Sequence, residues 1–444
     1  MTGAAEHEAA PAPRASVLAD LSPSAIAAGF LVVLVSYSGP LLIFLQAARA
    51  MEVPPETFSS WVFAISMAAG VSSIALSLAL RAPIVTAWSA PGTVLLITLG
   101  PVLPFSEIVG AYLAVALVLV VLGITGLFDR IVAAIPPAVA SGMLAGILFG
   151  FGLDAMAGLG QAPLVFTVLL VAYLVLGALM PRYAMIALLV VALLLAWGVE
   201  DVAIEGLGLA LATPTLTAPA FSWAAMLSLG VPLLITTLTG QFLPGLAILR
   251  ANGYPARARS VLVFSGLASV PAALLGGITT ALASITMALS ASPEAHPDPA
   301  RRYVAGVACG VFFCLGGLFA GSIVELLTLL PVSMIAMLAG FALLGAIQKS
   351  LTDTLTGAGH VQAGLLTFVV TTADADLFGI DAAFWGVVVG LAAVGIDRAV
   401  GAARRRGTPS RRLDPADGDT PKPRRTDTRG GTEGRQAISS PPSA

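Results

Sequence analysis

The sequence predicts an all-α polytopic membrane protein with fourteen transmembrane segments, arranged as two inverted seven-segment repeats. Three observations predict it. Of the 444 residues, 57% are hydrophobic and only 10% charged, with a mean hydropathy of +0.95, whereas a soluble chain carries roughly 25% charge. Apolar runs of about 20 residues, enough to cross ~30 Å of hydrocarbon, recur from end to end. Short motifs of the first half also return in the second at a nearly constant offset.

Residues 1–21 are polar, acidic as well as basic, and lack the basic start and short apolar run of a cleavable signal, so they read as a disordered cytosolic tail. The first repeat, 22–199, holds apolar segments at about 22–46, 57–80, 83–99, 106–128, 132–152, 163–180 and 183–198. Residues 200–222, the longest polar interruption, form an extracytoplasmic linker. The second repeat, 223–400, holds segments at about 223–249, 257–276, 277–292, 300–320, 322–347, 359–375 and 381–400. From 401 to 444 the composition turns to Arg, Pro, Thr, Asp, Ser and Gly without apolar periodicity, which describes a second disordered cytosolic tail. Arg404, Arg405 and Arg406 at its head read as a stop-transfer anchor.

Charge placement fixes the orientation. With both termini cytoplasmic, the inner loops hold Arg81, Arg130, Arg182, Arg250, Arg257, Arg259, Arg301, Arg302 and Lys349. The outer loops hold a single basic residue, Arg49, against ten acidic ones from Glu52 to Asp381. That asymmetry is the positive-inside pattern.

The repeat is legible in Pro137 followed by Met143-Leu144-Ala145-Gly146, which recurs as Pro331 followed by Met337-Leu338-Ala339-Gly340, an offset of 194 (331 − 137). The same offset lays Thr86-Ala87 on Thr280-Ala281; nearer the start of each half Gly39 falls on Gly240 and Pro54 on Pro255, an offset of 201 (240 − 39). Seven is odd, so the second copy runs through the membrane upside down.

Segments 3 and 10 are unlike ordinary spanning helices. The third, Pro83 to Thr93, opens on β-branched residues and then meets Pro91-Gly92, which removes a backbone donor and disfavours helix at Ala90. It predicts an extended stretch followed by a half-helix starting near 91–93. Its mate is Gly276 to Ser284. Extended backbone at mid-membrane survives only buried in protein or lining a cavity, and two such breaks at equivalent places point to a transport site. Half-helix N-termini suit an anion. With no Lys or Arg in the membrane interior, away from the segment ends, a carboxylate would be held by backbone N–H groups and neutral donors.

The candidate substrate-binding residues follow: Ser89, Pro91, Gly92 and Thr93 in segment 3, and Thr280, Ala283 and Ser284 in segment 10. Tyr37 and Ser38 in segment 1 and Gln241 in segment 8 are the polar groups of the equivalent stretches. Gln241, an amide deep in a segment, must face protein rather than lipid, to bind either ligand or another helix. Trp88 offers an indole face to a flat ring, with simple packing as the competing assignment. Tyr37 is weighed between packing and ligand contact. Gly142, Gly146 and Gly150, Gly306 with Gly310, and Gly317 with Gly321 read as close-approach ladders.

Several classes of function are excluded. A net charge of −2 gives no basis for nucleic-acid binding. Cys309 and Cys314 share one apolar segment and read as small packing residues. The three histidines, His7, His296 and His360, lie in a tail and two loops, so the spans hold no metal set, catalytic dyad or cofactor site, and an embedded enzyme is the remote alternative.

The stretch Ser292-Pro293-Glu294-Ala295-His296-Pro297-Asp298, the Leu330–Gly340 run and Thr86–Gly92 are similar to those of the benzoate/proton symporters of the BenE type, over about residues 20–400. The resemblance implies a uracil-permease-like fold, with a core domain (segments 1–4 and 8–11) moving against a gate domain (5–7 and 12–14). It implies uptake of benzoate or a similar aromatic carboxylate with protons as the coupling ion, in a bacterial inner membrane; a homodimer is compatible with it. Nucleobase carriers of this fold supply a glutamate from segment 8, where this chain has Gln241. That departure argues against a nucleobase and leaves the proton carrier unassigned; a carrier of another anion is the alternative. Glu294, His296 and Asp298 serve either as a proton relay or as partners for Arg301 and Arg302.

Overall fold

The computed structural model describes residues 17–199, 208–255, 257–356, 360–373 and 377–407. Residues 1–16 and 408–444 of the expected tails and 200–207 of the linker lie outside these residues; Val17–Asp20 and 401–407, expected to be disordered, are helical. The chain divides into a unit of residues 1–397 and a second from 398 onward, of which only the last turns of one helix are described.

The structure is almost entirely helical. After a single turn at Val17–Asp20, the helices in chain order are α1 (Pro23–Ser38), α2 (Pro40–Ala50), α3 (Pro55–Leu80), α4 (Ala90–Leu99), α5 (Phe105–Thr125), α6 (Phe128–Ala134), α7 (Pro137–Gln161), α8 (Pro163–Leu179) and α9 (Ala184–Val199). The second half continues with α10 (Trp223–Ala251), α11 (Ala258–Leu274), α12 (Ser284–Ala291), α13 (Tyr303–Leu318), α14 (Ala320–Thr328), α15 (Val332–Thr356), α16 (Val361–Thr372) and α17 (Ala382–Gly407). Eight spans among the described residues, the first joining α1 and α2, are long and apolar enough to cross a bilayer, and five shorter apolar helices accompany them.

Proline places the joints. Gly39-Pro40 divides α1 from α2, and Gly39 takes a non-helical conformation there. One segment end and two segment starts differ most from the sequence reading: α7 runs on to Gln161, so that Asp154, expected in an outer loop, is helical. Residues 132–134 close the short helix α6 and the span proper starts at Pro137; likewise 320–328 is a separate short helix and the span proper starts at Val332. In both places a proline (Pro136, Pro331) ends the preceding helix because it restricts the residue before it. A further correction concerns Lys349, expected in a loop: α15 continues through it to Thr356, supported by an ion pair from Lys349 to Asp353 one turn on, at 2.6 Å.

Small residues set the helix contacts. A Cβ on Gly142 would stand 2.2 Å from the carbonyl oxygen of Gly364 in α16, so only glycine permits that approach, whereas Gly150 meets nothing within 4 Å. Cys309 is buried beside α1, and Cys314 packs over Gly70 of α3.

Polar groups collect at the two ends. At one end Asp20 accepts from Tyr303 Oη at 2.8 Å and pairs with Arg81 (3.7 Å) and Arg301 (3.5 Å). Beside it Arg182 pairs with Glu294, whose hydrogen bond raises the Arg182 guanidinium above its usual range, with its negative charge adding to the rise and burial opposing it. Buried Arg302 donates to the carbonyls of Ala291 (2.9 Å), His296 (2.7 Å) and Pro297 (3.4 Å). The described part of the linker, 208–222, lies across the opposite end. Its amides at Ala212, Thr217 and Ala220 donate to the carbonyls of Leu318, Leu274 and Ser106.

Candidate functional site: two interrupted helices on one cavity

Segments 3 and 10 are both interrupted, and the interruptions meet. Thr86–Trp88 (β1) pairs antiparallel with Thr280–Leu282 (β2), in the register Thr86↔Leu282, Ala87↔Ala281, Trp88↔Thr280. Flanking bonds extend the ladder: the Ser89 amide donates to the Thr279 carbonyl and the Ala283 amide to the Val85 carbonyl, each at 3.0 Å. The pair is centred on Ala87–Ala281, an offset of 194 (281 − 87). The same offset relates the residues that precede the two half-helices, Ser89 and Ala283 (283 − 89). Equivalent residues of the two halves thus face each other across a local two-fold relation.

Two strands of three residues cannot satisfy their own backbone in lipid. Serines of the neighbouring helices complete the bonding. Ser73 Oγ of α3 accepts from the Thr86 amide at 2.9 Å, and Ser269 Oγ of α11 accepts from the Thr280 amide at 2.8 Å. Ser77 both donates to the Ile84 carbonyl and accepts from its amide.

Each strand feeds a half-helix, α4 or α12. At α4 the first-turn amides are largely taken: Pro91 has none, Gly92 donates to Ser89 Oγ (3.2 Å) and Thr93 to the Ser89 carbonyl (2.8 Å). At α12 the preceding residue is Ala283, whose side chain cannot cap, so the amides of Ser284, Ile285 and Thr286 have no partner within their own helix. The hydrogen-bonding end is therefore α12, while α4 contributes mainly the positive end of its dipole.

A cavity of about 610 Å³ adjoins both breaks. Trp88, Ala90 and Pro91 wall one side, Ala283, Ser284 and Thr286 another, and Thr239, Gly240 and Gln241 of α10 a third. It opens past the start of α7 and the end of α15, at the face bearing the Asp20 cluster, with exposed Lys349 and Asp353 at its mouth. Two buried polar atoms in its wall lack a protein partner: Trp88 Nε1 and Gln241 Oε1. Gln241 sits in a π-helical turn, 238–242, a local widening common at functional sites.

Of the sequence-selected residues, Trp88, Pro91, Gln241, Ala283 and Ser284 line this cavity. The others lie behind it. Tyr37 stacks on Trp88 (ring centroids 6.0 Å apart, 23° between planes) and shares a 2.8 Å hydrogen bond with Ser66. With Phe313 edge-on at 6.0 Å, Tyr37 holds the indole at the cavity wall. Ser38 bonds back to Val35, Ser89 caps α4, and Thr93 Oγ1 bonds to the Ser89 carbonyl. Gly92 packs on α10, where a Cβ would stand 2.2 Å from Leu233 Cδ1. Thr280 belongs to the strand pair, its hydroxyl buried without a partner. Ser36, Ser141, Thr239, Thr286, Lys349 and Ser350 also line the cavity. Sequence reasoning did not select them for the site, although Ser36 and Thr239 lie inside stretches it had marked and Lys349 had been assigned to a loop.

Interrupted helices whose ends face one mostly apolar cavity define a membrane transport protein. The benzoate membrane transport protein profile matches residues 19–396. The chain belongs to that family. It is 44% identical over 374 residues to a benzoate membrane transport protein of Acinetobacter baylyi, covering 84% of this chain and 95% of the relative. It is 39% identical over the same shares to the inner membrane protein YdcO of Escherichia coli. Among solved structures, the transmembrane domain of the cyanobacterial bicarbonate transporter BicA has the same fold (TM-score 0.53, 16% identity), covering 83% of this chain and 96% of that one.

Proposed function

We propose that the chain is an alternating-access symporter that brings benzoate, or a closely similar aromatic monocarboxylate, into a bacterial cell together with protons. The observation that carries the reading is the uncapped N-terminus of α12 opening onto a cavity that also presents Trp88 and Gln241. The carboxylate accepts from the α12 amides and from Ser284, the Gln241 amide nitrogen donates to it, and the ring lies against the indole. A helix N-terminus favours an anion by roughly 0.3–1 kcal/mol at exposed sites and up to about 2 kcal/mol when partly buried, so an apolar surround strengthens the site.

In this reading the described helices, with the β2–α12 segment, make up fourteen spanning segments in two inverted sets of seven. Segments 1–4 and 8–11 move as a core against a gate of 5–7 and 12–14, and the basic face is cytoplasmic. The kinship to a protein named for benzoate supports the substrate class. Among the described residues lining the cavity, the only carboxylate is Asp353 at its mouth, so a proton travels either through that residue or on the substrate.

The test is uptake of radiolabelled benzoate by purified protein in proteoliposomes. An inward proton gradient should accelerate uptake, a protonophore should remove the acceleration, and unlabelled sulfate or uracil should not compete. Uptake indifferent to the proton gradient would refute the symport.

A further inference from the structure

A second cavity, of about 750 Å³, lies at the opposite face, beneath the end of α2 and the turn between α14 and α15. Phe58, Ile97, Val332 and Ile335 give it an apolar lining, and Arg49 stands in its wall. The Arg49 guanidinium donates to the carbonyls of Thr328 (3.2 Å) and Leu330 (3.4 Å), thereby tying α2 to the α14–α15 turn. Glu52 lines the same cavity, yet among the described residues Arg49 forms no ion pair. A full positive charge thus rests on two neutral acceptors beside an apolar pocket.

That arrangement suits an aromatic carboxylate. A charge-assisted bond from guanidinium to carboxylate is roughly twice as strong as one between neutral groups and accepts in two-pronged geometry. An arriving carboxylate therefore outcompetes the two carbonyls for Arg49, while its ring meets Phe58 and Val332. We propose that this pocket is the outer-face capture site for the carboxylate substrate, and that its occupation releases the tie between α2 and the α14–α15 turn. The substrate class rests on the benzoate reading above; the location rests on Arg49 and its two carbonyl partners.

The test places a reporter in the pocket. Val332 is 60% exposed and lines it, so Val332→Cys, in a Cys314→Ser background, gives purified protein a thiol that a polar maleimide can modify. Benzoate at ten times its Kd should slow the modification about tenfold, neutral benzamide should not, and Arg49→Gln should abolish the protection while Arg49→Lys retains part of it. Protection that survives Arg49→Gln, or equal protection by benzamide, overturns the site. Should Arg49→Gln fail to fold, the benzoate–benzamide contrast alone decides. Proteoliposome uptake of benzoate by the parent protein separates the two readings. Uptake without protection refutes the capture site, protection without uptake refutes the transport reading and leaves the site standing, and absence of both refutes both.

Discussion

Replacing Gln241 by leucine removes the one amide in the wall of the inner cavity while keeping its bulk. The Gln241 Oε1 atom is buried without a protein partner, so in the empty protein this side chain is a burden. A buried unsatisfied polar group costs about 1–3 kcal/mol, and Gln241→Leu should leave thermal stability equal or higher. Binding should respond in the opposite sense. A hydrogen bond to a charged group contributes about 1.5–3 kcal/mol, which at 1.4 kcal/mol per tenfold converts to a rise of roughly 10- to 150-fold in the benzoate concentration for half-maximal uptake. The assay pairs concentration-dependent uptake in proteoliposomes with a melting curve of the purified protein. Weakened uptake together with undiminished stability is the signature of a ligand contact. An unchanged half-saturation, or a loss of stability in step with uptake, would show that Gln241 ties helices together and would refute its place at the site.

Gly276 has φ +85°, and a Cβ there would stand 2.2 Å from the Trp61 indole. Gly276→Ala should thus destabilise by more than the ~1–2 kcal/mol of left-handed strain alone, read as a lost monodisperse peak in size-exclusion chromatography. Arg302→Met should lower thermal stability by about 1–3 kcal/mol, because it frees the Ala291 carbonyl at the C-terminal end of α12 and the His296 and Pro297 carbonyls beyond it. Ser89→Ala removes the α4 cap and should cost about 0.5–2 kcal/mol in the same melting assay. Glu294→Gln breaks only a surface pair, so stability should change by less than about 1 kcal/mol and proton-stimulated uptake should persist; loss of that stimulation would make the Ser292–Asp298 stretch a proton relay.

The interruptions were legible in the sequence because Pro91-Gly92 and Gly276-Gly277 break the helix chemically, and the 194-residue offset located their pairing. What satisfies the broken backbone was not legible. Ser73, Ser77 and Ser269 look like ordinary small residues of apolar helices, and only the fold shows them bonded to the strands. The asymmetry of the two half-helices is likewise tertiary: a serine precedes one and an alanine the other, but that this opens only α12 depends on where the hydroxyl points. Lys349 was assigned to a loop because falling hydropathy looks like a helix end, whereas a Lys–Asp pair one turn apart carries α15 onward along the cavity mouth. Conversely, Tyr37 and Thr93 are polar and well placed in sequence, yet their hydroxyls are spent on Ser66 and the Ser89 carbonyl.

Anomalous scattering from para-bromobenzoate bound to the protein tests the carboxylate pocket most directly. The carboxylate should lie about 2.7–3.2 Å from the first-turn amides of α12, with the bromine-bearing ring against Trp88. A bromine peak remote from both interrupted segments, with the α12 amides still facing an unliganded cavity, would contradict it.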